Sequence, residues 1–372
     1  MKITFFSNYV NHHQIPFCKE MKKLIGNDFK FVATTKVPEE RIKLGYKDLN
    51  NEYDFVVRAY EDEEKAYKLG DESDIVIIGS APMKYIKKRL HHNKIIIRYN
   101  ERIFKGFRKT IRCVPLIATL KLYNSENTYL LCASAYAAKD FNKLGLYRNK
   151  TYKWGYFPEI KEYKNIEDLI NKKKSNSIIW VGRFIDWKHP EIVVKLAKKL
   201  KNGGYRFNIT MIGTGNMYNE IERLIKKQNL QDCIELLGPM PPEKVRKYME
   251  ESRIFIFTSN KTEGWGAVLN EAMNSACSII ANKEIGSVPF LINNEKNGLI
   301  YEKSNIDELY NKVKILLDNK ELAEKYGIEA YKTMINTWNP RVAAQRVIEL
   351  SNTLLENKEF IKYNDGPCSM CD

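Results

Sequence analysis

Short apolar segments alternate with amphipathic segments along most of the 372-residue chain. Two of the apolar segments, Val76–Ile78 and Ile95–Ile97, consist of β-branched residues only. Continuous runs of this kind are typical of strands buried on both faces of a parallel sheet. Because helical patterns separate the strands, the alternation predicts a doubly wound α/β fold.

The alternation occurs in two series with a charged, mixed segment between them. The strands predicted in the first series are Lys2–Ser7, Phe29–Ala33, Asp54–Val57, Asp74–Gly79, Lys94–Tyr99 and Tyr129–Cys132. The strands predicted in the second series are Ser177–Val181, Phe207–Gly213, Ile234–Leu237, Ile254–Thr258, Ser278–Ala281 and Gly298–Tyr301. We therefore predict two Rossmann-like domains, 1–155 and 177–340, joined by a linker, 156–176, and facing a central cleft. The C-terminal helix and tail, 341–372, are expected to pack back on the first domain.

Composition limits the partners and the compartment. The chain has 61 Lys and Arg residues against 46 Asp and Glu residues, a formal net charge of +15, which favours an acidic partner. No run of about 18 apolar residues predicts a membrane span, and the polar N-terminal sequence does not resemble a secretory signal. Seven scattered cysteines do not indicate a disulfide framework. We expect a cytoplasmic protein.

The strongest local motif contains two glutamates around a glycine-containing turn. Glu263 follows an apolar strand, Gly264 and Gly266 allow a close backbone approach, and Glu271 lies in the next predicted helix, which begins near Gly266. A helix N-terminus there would attract an anion, and the two carboxylates could hold two ends of an extended ligand. Alternatively, Glu263 caps the helix and Glu271 lies on a solvated face.

Two further loops follow strands of the second series. Arg183 and Lys188 stand five residues apart after Ser177–Val181 and could neutralise a diphosphate, or they are solvated surface cations. Gly213 and Gly215 form a turn that suits a phosphate or a ribose, although it lacks the third glycine of the dinucleotide fingerprint.

The order of these loops resembles that of the family-four glycosyltransferases, which have the GT-B fold. The resemblance covers residues 177–301 specifically and is carried by Gly182–Arg183 with Lys188, the Gly213–Gly215 turn, Leu237–Gly238, and the EGWGAVLNEAM sequence that spans Glu263 to Glu271. It implies a metal-independent, retaining transferase that uses a UDP- or GDP-linked sugar, with a glycan or a lipid diphosphate as the acceptor. Surface polysaccharide or glycolipid synthesis is the expected setting.

The resemblance also implies roles for individual residues. Arg183 and Lys188 would hold the diphosphate, Glu263 the hydroxyls of the donor sugar, and Glu271 the ribose. The other residues implied in donor binding are Gly182, Gly213, Gly215, Gly238, Pro239, Met240, Gly264, Trp265, Gly266 and Ala267. No metal ligand is expected.

The first domain departs from the family pattern. The place of the usual paired-glycine loop is taken by Asn11, His12 and His13, which either contact a phosphate or the acceptor hydroxyl, or include the cap of the next helix. After the strand Lys94–Tyr99, Glu101 or Arg102 could orient the acceptor, or the two could form a surface pair.

Eleven Lys or Arg residues and one acidic residue lie between Lys84 and Arg112. We refer to this segment as the basic window, and it predicts peripheral binding to the anionic inner face of the plasma membrane, or else a solvated basic helix. A nucleic-acid partner is not expected, because no basic platform with interleaved aromatic residues is present. The C-terminal Cys368 and Cys371 are expected in a frayed, reduced tail, since no further zinc ligands lie near them in sequence.

Two other functions fit the same fold. A nucleotide-sugar epimerase would release a free altered sugar and needs no membrane-facing basic surface. A non-catalytic nucleotide-sugar-binding subunit would explain the departures in the first domain, but not the retained Arg183, Lys188, Glu263 and Glu271.

Overall fold

The computed structural model of the chain describes residues 1–39, 42, 47–106, 114–303, 305–357 and 363–371. The chain divides into two compact units: Met1–Glu159 together with Trp338–Asp372, and Ile160–Thr337. The segment predicted as a linker, 156–176, is therefore not a separate connection. Most of it lies in the second unit, where it contains a helix, Ile166–Asn171, with Leu169 and Ile170 buried.

The first unit is built on a parallel sheet. In the part of the unit that the structure describes, its strands are β1 (Ile3–Ser7), β2 (Phe29–Ala33), β3 (Val56–Arg58), β4 (Ile75–Ile78), β5 (Ile96–Asn100), β6 (Thr128–Cys132) and β7 (Thr151–Lys153). The strand order is β3-β2-β1-β4-β5-β6-β7, with Ile3 of β1 aligned with both Phe29 and Ile75. The helices are α1 (Ile15–Ile25), α2 (Glu63–Glu72), α3 (Lys87–His91), α4 (Val114–Leu122) and α5 (Ala137–Asn142).

Local sequence explains where α1 begins and ends. Pro16 fits the first turn of the helix, where its missing N–H would have no partner in any case. Gly26 ends the helix with φ of +58°, a backbone conformation that glycine adopts without steric cost. Phe17, Cys18 and Met21 form the buried face of the helix.

The second unit repeats this plan. Its described strands are β8 (Ser177–Val181), β9 (Asn208–Ile212), β10 (Ile234–Leu236), β11 (Ile254–Phe257), β12 (Ser278–Asn282) and β13 (Leu299–Tyr301). They form a parallel sheet in the order β10-β9-β8-β11-β12-β13. The helices are α6 (Ile166–Asn171), α7 (Pro190–Asn202), α8 (Tyr218–Lys227), α9 (Pro242–Glu251), α10 (Val268–Asn274), α11 (Val288–Leu291), α12 (Ile306–Asp318) and α13 (Lys320–Asn336).

The chain then returns to the first unit with α14 (Pro340–Glu356), which packs against α1. Both sheets are parallel and have helical connections, so the predicted class of two Rossmann-like α/β domains is confirmed. Within the described ranges, none of the helices combines the length and the apolar character that crossing a membrane requires.

Candidate active site

The predicted donor-binding residues lie at one edge of the second sheet. All of its strands are parallel, so the loops after β8, β9, β10, β11 and β12 leave the sheet at the same edge. In doubly wound sheets, this carboxyl edge is where ligands bind.

Lys188 and Glu263 form an ion pair at this edge. The Lys188 Nζ donates to Glu263 Oε2, and the two side chains are only 12% and 14% exposed. Ser259 Oγ donates to the same carboxylate oxygen at 3.2 Å. Because the pair is largely shielded from water, it holds the two loops together more firmly than an exposed pair would.

Backbone contacts connect the same two loops. Thr258 Oγ1 donates to the Lys188 carbonyl at 2.6 Å, and Trp180 Nε1 donates to Thr258 Oγ1 at 2.9 Å. The Asn260 N–H donates to the Trp187 carbonyl at 3.0 Å. The positions of Lys188 and Glu263 are thus fixed by main chain and by two buried side chains, Trp180 of β8 and Thr258 just after β11.

Glu271 lies in the first turn of α10 and is half-buried. Among the described residues, no hydrogen bond or ion pair engages its carboxylate. Burial raises the pKa of this carboxyl group, while Arg246 opposes the shift. A carboxylate in this position favours hydroxyl donors from a ligand.

The C-terminal end of α10 is held by two cations. Arg246 of α9 donates through Nη1 to Asn274 Oδ1 at 2.7 Å. Lys173 is 6% exposed, and its Nζ donates to the carbonyls of Ser252 at 2.7 Å and Ser275 at 2.8 Å, just beyond α9 and α10. Burial lowers the pKa of Lys173. No local pattern indicates a function for either residue, because Lys173 stands in a run of three lysines and Arg246 in an ordinary amphipathic helix.

Arg183 is exposed, and its guanidinium carbon lies 5.5 Å from the centroid of the Trp187 ring. It forms no ion pair with any residue that the structure describes. Its charge is therefore available at the same edge of the sheet as the Lys188–Glu263 pair.

The glycines after β8 and β9 pack the loops against each other. A Cβ on Gly213, which has φ of +135°, would lie 2.0 Å from the Gly182 carbonyl oxygen. A Cβ on Gly215 would lie 2.3 Å from the Phe184 carbonyl oxygen. Glycine is thus needed at both positions, because any side chain would overlap the protein backbone, independently of a ligand.

Gly238 differs from them. Its φ is +66°, and a Cβ there would meet no atom within 4 Å. Pro239 is exposed and Met240 half-exposed, so the main chain after β10 is accessible at this edge.

The glutamate motif folds differently from the prediction in two respects. The helix begins at Val268, two residues after the predicted start, because Gly266 adopts φ of +81°, outside the helical region. Gly264 is buried, while Gly266 and Ala267 are half-buried before the helix. The alternative that Glu263 caps the helix is wrong, since the N-cap is Ala267.

The Trp265 side chain is not a ligand contact. Its indole is fully buried, and Nε1 donates to Asn270 Oδ1 at 2.9 Å. Its carbonyl accepts from Ser287 Oγ at 2.5 Å. The Trp265 side chain therefore anchors the loop in the core, and a donor contact by the main chain of Gly264–Ala267 stays a prediction.

In the first unit, neither Asn11 nor His12 caps α1. The N-cap is Gln14, and its Oε1 accepts from the Asn11 N–H at 3.1 Å. His13 stacks on Tyr156 with ring centroids 4.3 Å apart, at the wall of a small aromatic pocket. His12 is exposed and contacts the His13 ring edge-on.

Glu101 and Arg102 do not pair with each other. Glu101 accepts from Tyr156 Oη at 2.6 Å and from Lys105 Nζ at 2.7 Å. The Arg102 guanidinium lies over the Tyr136 ring and 3.6 Å from Asp140 Oδ2. Both side chains are held by protein partners, which speaks against either as a group reserved for the acceptor.

The basic window is not the continuous cationic surface that its sequence suggests. Arg89 and Arg98 are buried. Lys84, Lys94, Arg102 and Lys105 pair with Glu63, Asp71, Asp140 and Glu101, respectively. Lys87 and Lys88 are exposed, and Arg108, Lys109 and Arg112 lie outside the described residues. Counting charges could not show these partners, because most of the acids lie outside the window.

The C-terminal tail is also ordered where it was expected to fray. The Cys368 N–H donates to the Lys153 carbonyl at 2.8 Å and the Cys371 N–H to the Thr151 carbonyl at 2.9 Å, so the tail pairs with the edge strand β7. Both cysteines are free thiols. No group of three or more metal-ligating side chains was found in the described part of the chain.

A family model described as glycosyl transferases group 1 matches residues 161–333, nearly the whole second unit. An uncharacterized glycosyltransferase of Methanocaldococcus jannaschii is 32% identical over 163 residues, which cover 44% of this chain and 44% of that protein. The N-acetylgalactosamine-N,N'-diacetylbacillosaminyl-diphospho-undecaprenol 4-alpha-N-acetylgalactosaminyltransferase of Campylobacter jejuni is 27% identical over 167 residues, 45% of this chain and 44% of that protein. The chain thus spans less than half the length of these curated relatives.

Similarity to a solved structure extends further along the chain. The crystal structure of Anabaena HepE in complex with UDP superposes with a TM-score of 0.73, covering 95% of this chain and 100% of that one. The sequences are 14% identical, so this similarity concerns the fold, which is of the GT-B type.

Proposed function

We propose that the chain is a retaining glycosyltransferase, because a family model described as glycosyl transferases group 1 matches residues 161–333. It transfers a sugar from a UDP- or GDP-linked donor to a glycan or lipid-linked acceptor. The observation that carries the proposal is the gathering of exposed Arg183, the Lys188–Glu263 pair and the unpartnered Glu271 carboxylate at one edge of the second sheet.

The charges in this set suit a nucleotide-diphosphate sugar. A lysine ammonium has three donor hydrogens, so Lys188 can bind Glu263 and a phosphate oxygen together. Arg183 supplies a second cation from the same loop. Glu271 accepts hydrogen bonds from the ribose hydroxyls, and Glu263 from a hydroxyl of the donor sugar.

Fixed cations also help the diphosphate to leave. When the bond between the anomeric carbon and the diphosphate breaks, negative charge accumulates on the nucleoside diphosphate. Preorganised cations stabilise that charge in the transition state. On this proposal Arg183 and Lys188 do so without a metal ion.

Two comparisons guide the choice of substrates. The HepE structure holds UDP, so UDP-sugars are the first donors to test. The name of the Campylobacter jejuni relative gives a lipid-linked saccharide as the acceptor of that protein. We propose an acceptor of this class and a place in surface polysaccharide or glycolipid synthesis.

Peripheral membrane association remains a prediction. The surface proposed for it is smaller than the whole basic window, because several cations of the window are buried or paired. Lys87 and Lys88 are exposed on α3, and the apolar helix α4 exposes Val114 and Leu122 at 59% and 77%. A surface with both features favours an anionic bilayer. Flotation with anionic but not neutral vesicles is the expected result, and equal flotation with both would reject it.

The test of the proposed function is a panel of UDP-, GDP-, ADP- and CMP-sugars. Thermal shift identifies the nucleotide that stabilises the full chain. Proton NMR of the sugar released from that donor, or transferred to an acceptor, then reports the anomeric configuration. Stabilisation by one nucleotide class and an α-product from an α-linked donor are expected. No stabilisation by any donor at millimolar concentration contradicts the proposal.

A further inference from the structure

Arg98 is a buried cation with no protein counterion. It lies in β5, is 3% exposed, and forms no ion pair with any described residue. Its one hydrogen bond runs from Nη1 to the thioether sulfur of Met83 at 3.1 Å, and thioether sulfur is a weak acceptor. The Arg98 Nε has no partner.

Two other polar groups of the first unit are also buried without a hydrogen-bond partner. The Tyr147 hydroxyl is buried and unpartnered, and Tyr147 packs in the same cluster as Leu130, which is aligned with Arg98 on the neighbouring strand. Burial raises the pKa of Tyr147 to about 12, with Arg98 opposing the shift. Asn100 is two residues beyond Arg98 on the same face of β5, and its side-chain oxygen is also buried without a partner.

This face is otherwise apolar. Ile96 belongs to the cluster formed with Val76 and Ile78, and Leu130, which is aligned with Arg98, belongs to the next cluster. A guanidinium between two apolar clusters is destabilising unless an anion compensates its charge. Arg89, which is also buried, shows the contrast, because it donates to the carbonyls of Ile95 and Ser73 at 2.8 and 2.6 Å.

Arg98 lies where a doubly wound sheet binds ligands, and not in the middle of the core. Arg98 precedes Asn100, the half-buried last residue of β5, at the carboxyl edge of the first sheet. Met83 lies in the connection after the neighbouring strand β4. Ligands of doubly wound sheets bind at this edge, between the loops of adjacent strands.

We infer that Arg98 and Tyr147 form an anion site in the first unit, which takes a phosphate group. Arg98 offers its Nε–H and a charge, and Tyr147 a hydroxyl donor, a combination suited to a phosphate oxygen. The assignment of that phosphate to the acceptor rests on the proposed function, whereas the site itself does not.

The experiment is calorimetric titration of the full chain with inorganic phosphate. It is done in an Arg183→Ala, Lys188→Ala background, so that binding in the second unit does not contribute. Arg98→Met and Tyr147→Phe are expected to weaken phosphate binding by about tenfold or more, as for a lost charge-assisted hydrogen bond. Lys65→Met removes an exposed cation from α2 of the same unit and is expected to leave affinity unchanged.

Absence of phosphate binding overturns the inference, as does equal weakening by Lys65→Met or unchanged affinity in Tyr147→Phe. If Arg98→Met does not fold, Tyr147→Phe decides, because it keeps the ring and removes only the hydroxyl.

A second titration with glycerol 3-phosphate distinguishes a phosphate group carried by an acceptor from free inorganic phosphate. Binding of this ester that depends on Arg98 supports a phosphate carried by an acceptor, and binding of inorganic phosphate alone contradicts that assignment. Failure of the donor panel would remove the proposed function and leave these titrations valid.

Discussion

Lys188 and Glu263 are 75 residues apart in the chain, yet their side chains form an ion pair that joins the loops after β8 and β11. Sequence resemblance implied separate roles for them, one on the diphosphate and one on the sugar. The pair means that a ligand reaching either side chain meets both. It also couples donor binding to the stability of the second unit.

The strength of this coupling is measurable by a double-mutant cycle. Lys188→Met leaves a shielded carboxylate without its cation, and Glu263→Gln leaves a shielded ammonium without its anion. Each change is expected to lower the free energy of unfolding by about 1–3 kcal/mol, and the double variant by less than the two effects added. Additive losses in urea denaturation would contradict the coupling.

Turnover is expected to depend on the cations of the same loop. Arg183→Ala combined with Lys188→Ala removes both groups proposed to stabilise the departing diphosphate. The expected loss in kcat is at least about 10²–10³, the usual effect of one preorganised charge contact. Lys195→Ala, which removes an exposed cation from α7, serves as the control and is expected to retain full turnover. Near-normal kcat in the double variant would exclude the diphosphate role.

Glu271 gives a prediction about pH. Burial raises the pKa of its carboxyl group above the unfolded value of about 4.5, so the folded protein holds this proton more tightly than the unfolded chain. The stabilisation is fully present below pH 4.5 and is lost as pH rises through the higher folded pKa. The stability of wild type relative to Glu271→Gln is therefore expected to fall over that interval. Glu243→Gln, an exposed change in α9, is expected to show no such trend.

Gly213 and Gly238 form a matched pair for backbone packing. Gly213→Ala places a Cβ 2.0 Å from the Gly182 carbonyl at φ of +135°, whereas Gly238→Ala places one in open space at φ of +66°. We expect losses of about 3–5 kcal/mol for the first substitution and about 1–2 kcal/mol for the second. Equal losses in thermal unfolding would show that the loop contact does not require Gly213.

Lys173 is expected to act at a distance on the ligand. Lys173→Met removes the cation that binds carbonyls just beyond α9 and α10, and α10 carries Glu271. Stability is expected to fall by about 3 kcal/mol. Nucleotide affinity is expected to weaken as well, in calorimetry below the melting temperature. An unchanged dissociation constant would confine Lys173 to a structural role.

The sequence predicted the elements with strong local signals well. The strands Phe29–Ala33 and Ser177–Val181 have their predicted bounds, because apolar runs mark them. The strand β7 was missed, because it has three residues and its pattern is short. Its pairing with the tail joins residues more than 200 positions apart, such as Lys153 and Asp365, which no local pattern reveals.

At the candidate site, residue types were predictable and their surroundings were not. The sequence identified Glu271 but not the absence of a protein partner for its carboxylate. It placed Trp265 in the donor-binding loop but did not reveal that the indole is buried, bonded to Asn270 and packed near Phe290. It counted Arg98 among surface cations, since charge composition carries no information about burial.

The proposed donor site is tested most directly by a crystal structure of the chain with UDP. We expect the diphosphate to contact Arg183 and Lys188 and the ribose hydroxyls to donate to Glu271. UDP bound away from these three residues, or no UDP at saturating concentration, would contradict it.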